Sequence, residues 1–158
     1  MERTNKKLSL SEAKLKIASY CAYQERCQQE IRDKLYSYGL IPDDVEELIG
    51  YLISEGYLNE LRFSKAYCGG KFRIKKWGRN RITLELKKRK ISDNCIRIGL
   101  QEIDEEDYIQ VIQSLINSKR LKYDNLSDYV KRNKIASFLI SKGYESQITW
   151  EQLNRMFP

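Results

Sequence analysis

The stretch Ile31-Arg32-Asp33-Lys34-Leu35-Tyr36-Ser37-Tyr38-Gly39-Leu40-Ile41-Pro42-Asp43-Asp44-Val45-Glu46-Glu47-Leu48-Ile49-Gly50-Tyr51-Leu52 decides the fold. Ile31 and Leu35 are four apart and share one helical face, Gly39 is a normal C′ residue, and Pro42 opens a second helix without losing a hydrogen bond. Asp43, Asp44, Glu46 and Glu47 then complement the dipole of that helix. Shifting Ile31, Leu35, Leu40, Val45, Ile49 and Leu52 by 51 positions lands on Ile82, Leu86, Ile91, Ile96, Leu100 and Ile103. A further 53 positions lead to Ile135, Leu139, Tyr144, Thr149, Leu153 and Met156, with Thr149 the weakest match. The spacing of the turn is kept as well as the helical period, which sets this apart from chance periodicity.

Outward from these copies, apolar periodicity predicts helices near Ser11–Gln24 (Ser11 as N-cap), Gln28–Tyr38, Pro42 to about Gly56, Asn59–Lys76, Arg79–Lys90, Ser92–Ile103, Glu105–Lys119, Ser127–Lys142 and Ser146–Phe157, and no strand. The expected fold is all-α: three tandem three-helix repeats in an elongated, curved array, each repeat with its own small apolar centre. The boundaries are a flexible N-terminal segment at 1–10, then repeats at 11–57, 58–103 and 104–158.

The chain has 158 residues, 41% hydrophobic and 32% charged, with only 8 Gly and 2 Pro. There is no histidine, which removes Ser/His/Asp triads, Cys/His dyads, HExxH sites and His-bearing zinc sites. Cys21, Cys27, Cys68 and Cys95 form no CxxC pair and read as reduced, buried thiols. No metal or cofactor is expected. Met1 to Lys7 is polar, no apolar run could cross a bilayer, and a cytoplasmic location with no membrane contact is expected.

Of the 29 basic residues, 13 fall between Arg62 and Arg97 beside only Glu85 and Asp93, so that stretch carries +11 and the rest of the chain −4. Such a basic middle suits a polyanion or an acidic protein surface. Lys71 and Lys75 share one helical face, and Arg81 and Lys88 another. Lys76 and Arg79 flank the Trp77-Gly78 turn between the two helices, where the basic faces converge if the turn is tight. Trp77 reads as a plug at this junction, with base stacking as the second reading. Gly78 reads as the residue that lets the backbone turn. Gly69-Gly70 inside a helix suggests a close backbone approach or a flexible joint. Tyr20, Tyr36, Tyr57 and Tyr67 read as core or module-edge residues, while Tyr23, Tyr38 and Tyr51 are left open.

The middle repeat reads Gly56-Tyr57-Leu58-Asn59-Glu60, Arg62-Phe63-Ser64, Tyr67, Lys76-Trp77-Gly78, Arg81-Ile82, Glu85-Leu86, Lys90-Ile91-Ser92 and Ile96. It resembles the RecX family of bacterial recombination regulators, whose pattern is GYL-(N/D)-D, RFA, Y, a basic stretch, WG, RI, EL, GI-(S/P) and I. The departures are Glu60 for Asp, Ser64 for Ala, Lys90 for Gly, and Cys27 where a Ser commonly caps the second helix, which costs about 1 kcal/mol. The resemblance implies a non-enzymatic protein that binds the RecA–DNA filament. It implies inhibition of strand exchange, ATP hydrolysis and SOS coprotease activity, by blocking filament extension or promoting disassembly. Implied partners are the filament and DNA bound without sequence preference, single-stranded first and double-stranded left open, with the protein a monomer. Filament or DNA contact falls on Lys71, Arg73, Lys75, Lys76, Arg79, Arg81, Lys87 and Lys88. The structural motif is Tyr57, Phe63, Trp77, Gly78, Ile82, Leu86 and Ile91. The competing reading is a stand-alone DNA-binding protein or helix–turn–helix transcriptional regulator, for which Asn80, Arg81 and Lys87 are the available readers.

Overall fold

In the computed structural model, residues 7–157 are described. Residues 1–6, most of the segment expected to be flexible, lie outside them, as does Pro158. The described residues form nine α-helices and no strand: α1 (Leu10–Tyr23), α2 (Gln28–Ser37), α3 (Pro42–Ser54), α4 (Glu60–Gly70), α5 (Arg79–Lys88), α6 (Asp93–Leu100), α7 (Glu105–Lys122), α8 (Asp128–Ser141) and α9 (Ser146–Met156). Closest helix contacts run within the trios α1–α3, α4–α6 and α7–α9, hereafter modules one, two and three. Within module two, α4 and α6 approach so closely that a Cβ on Gly99 would lie 2.3 Å from Ser64 Oγ, which itself bonds the Cys95 carbonyl at 2.7 Å.

The repeated positions are the core. All eighteen are buried except Leu100 and Met156, which are half-buried. Even Thr149 is fully enclosed, its hydroxyl lacking a partner among the described residues. The repeat also extends to backbone conformation. Gly39 (φ +83°), Lys90 (φ +59°) and Gly143 (φ +100°) are equivalent, and each ends the middle helix of its trio in the left-handed region. After Lys90 and Gly143, the amides of Ile91 and Tyr144 reach back to the carbonyls of Leu86 and Leu139, both at 3.1 Å, closing the helix end. A side chain in this conformation is strained, and only Lys90 carries one. Lys90→Gly is therefore expected to stabilise the protein by about 1 kcal/mol, seen as a higher urea midpoint with unchanged slope.

The structure corrects several expectations. Ser9, not Ser11, caps α1, its hydroxyl accepting from the Glu12 amide at 3.2 Å. The predicted fourth helix is α only to Gly70. Lys71–Lys75 then form a π-helical turn, and Lys76 leaves it in the left-handed region (φ +58°). Cys27 does precede α2 without a side-chain cap, but its side chain is fully buried among module-two residues. Burial pushes its thiol up to about 11. Tyr57 is not a core ring: it is 38% exposed, and its backbone does the structural work, the amide bonding Leu52 O at 2.8 Å to close α3. Phe63, Ile82, Leu86 and Ile91 are buried as expected.

Two apolar clusters replace the expected three. Module one has its own, whereas modules two and three share one. The rings Phe72, Tyr108 and Tyr144 connect the latter pair, with centroid distances of 5.7 and 5.3 Å.

Candidate functional site

The start of α5 is built by module three. Gly78 precedes that helix with ordinary dihedrals (φ −78°, ψ 168°) and offers no side chain to satisfy the unpaired amides of the first turn. The Gly78 amide donates to Lys142 O at 2.8 Å and the Asn80 amide to Gly143 O at 2.9 Å. The Arg79 amide donates to the Tyr108 hydroxyl at 3.1 Å. In return, the Tyr144 hydroxyl donates to Lys76 O at 2.7 Å. The two stretches of main chain cross where both residues are glycine: a Cβ on Gly78 would sit 2.3 Å from Gly143 C, and one on Gly143 would sit 2.4 Å from Arg81 Cβ. Gly78 is thus required by close approach, not by a sharp turn.

Arg79 belongs to the same joint. Its guanidinium lies 3.9 Å from the Tyr108 ring centroid and pairs with Glu145 at 2.9 Å and with Glu105. Tyr108 donates its hydroxyl to Glu145. Arg79 was expected among the contact cations. Its side chain is 21% exposed and carries two carboxylates, which tie module two to module three. Lys88 is exposed but pairs with Glu85 at 3.2 Å, and Lys87 is exposed.

Locking this joint gathers the remaining cations. Lys71, the first residue of the π-helical turn, and Arg81, on α5, both reach the half-buried Trp77, at 5.2 and 4.3 Å from its ring centroid. Trp77 packs against the shared core and so serves as the junction plug. Arg73, Lys75 and Lys76 are exposed around Ile74, itself 78% exposed. A Cβ on Gly69 would lie 2.8 Å from the Arg73 guanidinium, the far end of an exposed side chain that can swing aside, and nothing lies within 4 Å of one on Gly70. The close backbone approach expected at Gly69-Gly70 is therefore not what lies nearest either glycine.

Two members of the seam come from module three and carry no spacing that the sequence could reveal. Lys142 donates to Lys75 O at 3.2 Å. Burial, then the like charges of Arg81 and Lys119, hold its ammonium below the usual lysine range. Lys119 lies 4.1 Å above the Phe138 ring. Lys71, Lys75, Arg81, Lys119 and Lys142 make no ion pair among the described residues. Like charges held together without counter-charges oppose folding, and an incoming polyanion would relieve that repulsion. Exposed Leu84 and Ile140 flank a shallow groove beside Arg81 and Gly143. Docking the first turn of α5 on residues 142–144 also weighs against a helix–turn–helix reader, whose recognition helix presents its N-terminal residues to bases. No three metal-ligating side chains converge among the described residues, and none of the described helices is long and apolar enough to cross a membrane.

Comparison with known proteins follows the same division of the chain. The family model for the second three-helix domain of RecX matches residues 59–100, and that for the third matches residues 105–153. The regulatory protein RecX of Bacillus cereus is 27% identical over 139 residues, covering 88% of this chain and 52% of the relative. That of Clostridium perfringens is 30% identical over 122 residues, covering 76% and 57%. The chain thus spans about half the length of the curated relatives it matches. The crystal structure of RecX from Lactobacillus salivarius superposes with a TM-score of 0.83 at 25% identity, covering 92% of this chain and 95% of that one. A second crystal structure, of a regulatory protein RecX, shares the fold at a TM-score of 0.83 and 19% identity.

Proposed function

This chain belongs to the RecX family of regulatory proteins, and from that premise we propose that it is a non-catalytic regulator of the RecA recombinase, acting on the filament that RecA forms on DNA. The seam at the joint of modules two and three is the contact, and binding blocks filament extension or promotes disassembly. ATP hydrolysis, strand exchange and SOS coprotease activity fall as a result. A filament presents phosphates and acidic protein surface along a groove, so its ligand needs cations set at fixed separations rather than a deep pocket. The observation that carries the reading is the group Lys71, Lys75, Arg81, Lys119 and Lys142, drawn from two modules, without ion-pair partners among the described residues, and held on a joint bridged by main-chain hydrogen bonds.

The test is DNA-dependent ATP hydrolysis by the matching recombinase, measured with increasing amounts of the full chain. Turnover is expected to fall at substoichiometric to near-stoichiometric amounts. Turnover that is unchanged at a large excess would remove the reading.

A further inference from the structure

Module three grips the end of the first helix of module two at two carbonyls. The Tyr144 hydroxyl donates to Lys76 O at 2.7 Å, and the Lys142 ammonium donates to Lys75 O at 3.2 Å. Just before these carbonyls the helix widens into the π-helical turn Lys71–Lys75, which the Trp77 amide closes on Lys71 O at 3.3 Å, and Lys76 leaves it left-handed. Neither feature is favoured on its own. Hydrogen bonding of the π type is rare, and a residue with a side chain is strained at positive φ, so something outside the turn has to hold it.

The joint of modules one and two supplies an internal control. Ala13, Ile17 and Cys21 of α1 stand 51 positions before Ser64, Cys68 and Phe72, and all six are buried. Yet α1 stays α-helical to Tyr23, the counterpart of Ile74, and Gln24 then turns extended. The counterparts of Lys142 and Tyr144 at that joint are Arg89 and Ile91. Ile91 has no side-chain donor, and the Arg89 guanidinium is taken by Glu85 and Glu30. The π turn therefore goes with the grip and not with the module architecture. Nor does the core need a hydroxyl at this place, since Leu40 and Ile91 fill it in the other two modules. Burial pushes the Tyr144 hydroxyl above the usual tyrosine range, so it remains a donor.

We infer that Tyr144 is a positioning residue of the seam: its hydroxyl, on the Lys76 carbonyl, holds Lys71–Lys75 in the π form and so fixes where Lys71 and Lys75 stand relative to Arg81 and Lys142. Relaxation to an α turn changes the rotation at each residue and moves the cations off those separations. The consequence for binding rests on the function proposed above, whereas the hold on the turn does not.

The test compares the full chain with Tyr144→Phe, which keeps the ring and removes the hydroxyl. Ile49→Val, a core truncation in module one, lowers stability without touching the joint and serves as the control. Hydrogen exchange at the Lys76 and Trp77 amides is followed by nuclear magnetic resonance on the chain alone. In Tyr144→Phe both amides are expected to exchange about tenfold faster, the loss of one hydrogen bond. The amount needed for half-inhibition of the recombinase ATPase, and the dissociation constant for free DNA, are expected to rise by about the same factor. The salt slope of DNA affinity is expected to hold, because no cation is removed. Ile49→Val is expected to melt earlier with inhibition and DNA affinity unchanged. Wild-type protection of Lys76 and Trp77 in Tyr144→Phe overturns the inference. So do wild-type inhibition and DNA affinity in a variant whose turn has loosened, or an equal loss of both in Ile49→Val. A wild-type chain inert on the recombinase sinks the proposed function instead, and faster exchange with weaker DNA binding in Tyr144→Phe then still upholds the positioning role.

Discussion

Gly78→Ala is expected to destabilise the protein by about 3–5 kcal/mol, one of the largest effects available to a single methyl group in this chain. Alanine accepts the dihedrals at this position without strain, so the cost comes from collision alone. The new Cβ would stand 2.3 Å from both Gly143 C and Tyr144 N, atoms of main chain that no rotamer change can move aside. Relief requires the two modules to part. Parting them loses the Gly78–Lys142 and Asn80–Gly143 hydrogen bonds and the bond from Tyr144 to Lys76 O, and leaves the first turn of α5 without partners. Equilibrium urea unfolding measures this, with Gly70→Ala as the control. Nothing lies within 4 Å of a Cβ at Gly70, and removing a glycine from the body of a helix is expected to add about 0.5–1 kcal/mol. A Gly78→Ala protein as stable as wild type would mean that the crossing of main chains does not hold the joint.

The second large effect separates function from stability. Reversing Lys75, Arg81 and Lys142 to glutamate is expected to raise the amount needed for half-inhibition of the recombinase ATPase about 100-fold or more. Binding to free DNA is expected to weaken with it, and the log–log slope of that affinity against salt to fall by about three, one for each cation. Thermal stability is expected to fall only slightly. None of the three side chains takes part in an ion pair among the described residues, and the losses are the hydrogen bond from Lys142 to Lys75 O and the Arg81 contact with the Trp77 ring. Full inhibition by a folded triple variant would rule the seam out as the contact.

The fold was largely legible because burial against one face imposes its period on the sequence. Ile82, Leu86 and Ile91 could be paired with their counterparts 51 residues before them, and all lie in the core. The helix stop at Gly39 was legible too, and the left-handed conformation it shares with position 90 explains why Lys90 reads as a departure. The α1 cap at Ser9 was also within reach: Glu12 follows three residues later, and its carboxylate accepts from the Ser9 hydroxyl at 3.0 Å, a capping-box spacing. The joint was not legible. The reason for Gly78 lies at Gly143, the partners of Arg79 are Glu105 and Glu145, and the neighbour of Lys75 is Lys142. Local periodicity carries no information about pairs so far apart. It therefore showed Arg79 without its two carboxylates and gave no sign that Lys119 and Lys142 lie beside the basic middle. The π-helical turn was hidden for a related reason, since one extra residue per turn over Lys71–Lys75 leaves the surrounding apolar pattern readable as a single helix.

The two junctions along the chain differ in material. Module one meets module two through the Arg62–Glu25 and Arg89–Glu30 pairs and the inserted Cys27 side chain, whereas modules two and three add amide–carbonyl bonds and a shared apolar core to the Arg79 ion pairs. Mobile ions weaken the first kind of fastening and scarcely touch the second. Added salt is therefore expected to loosen the junction of modules one and two before that of modules two and three, where main-chain bonds would still hold.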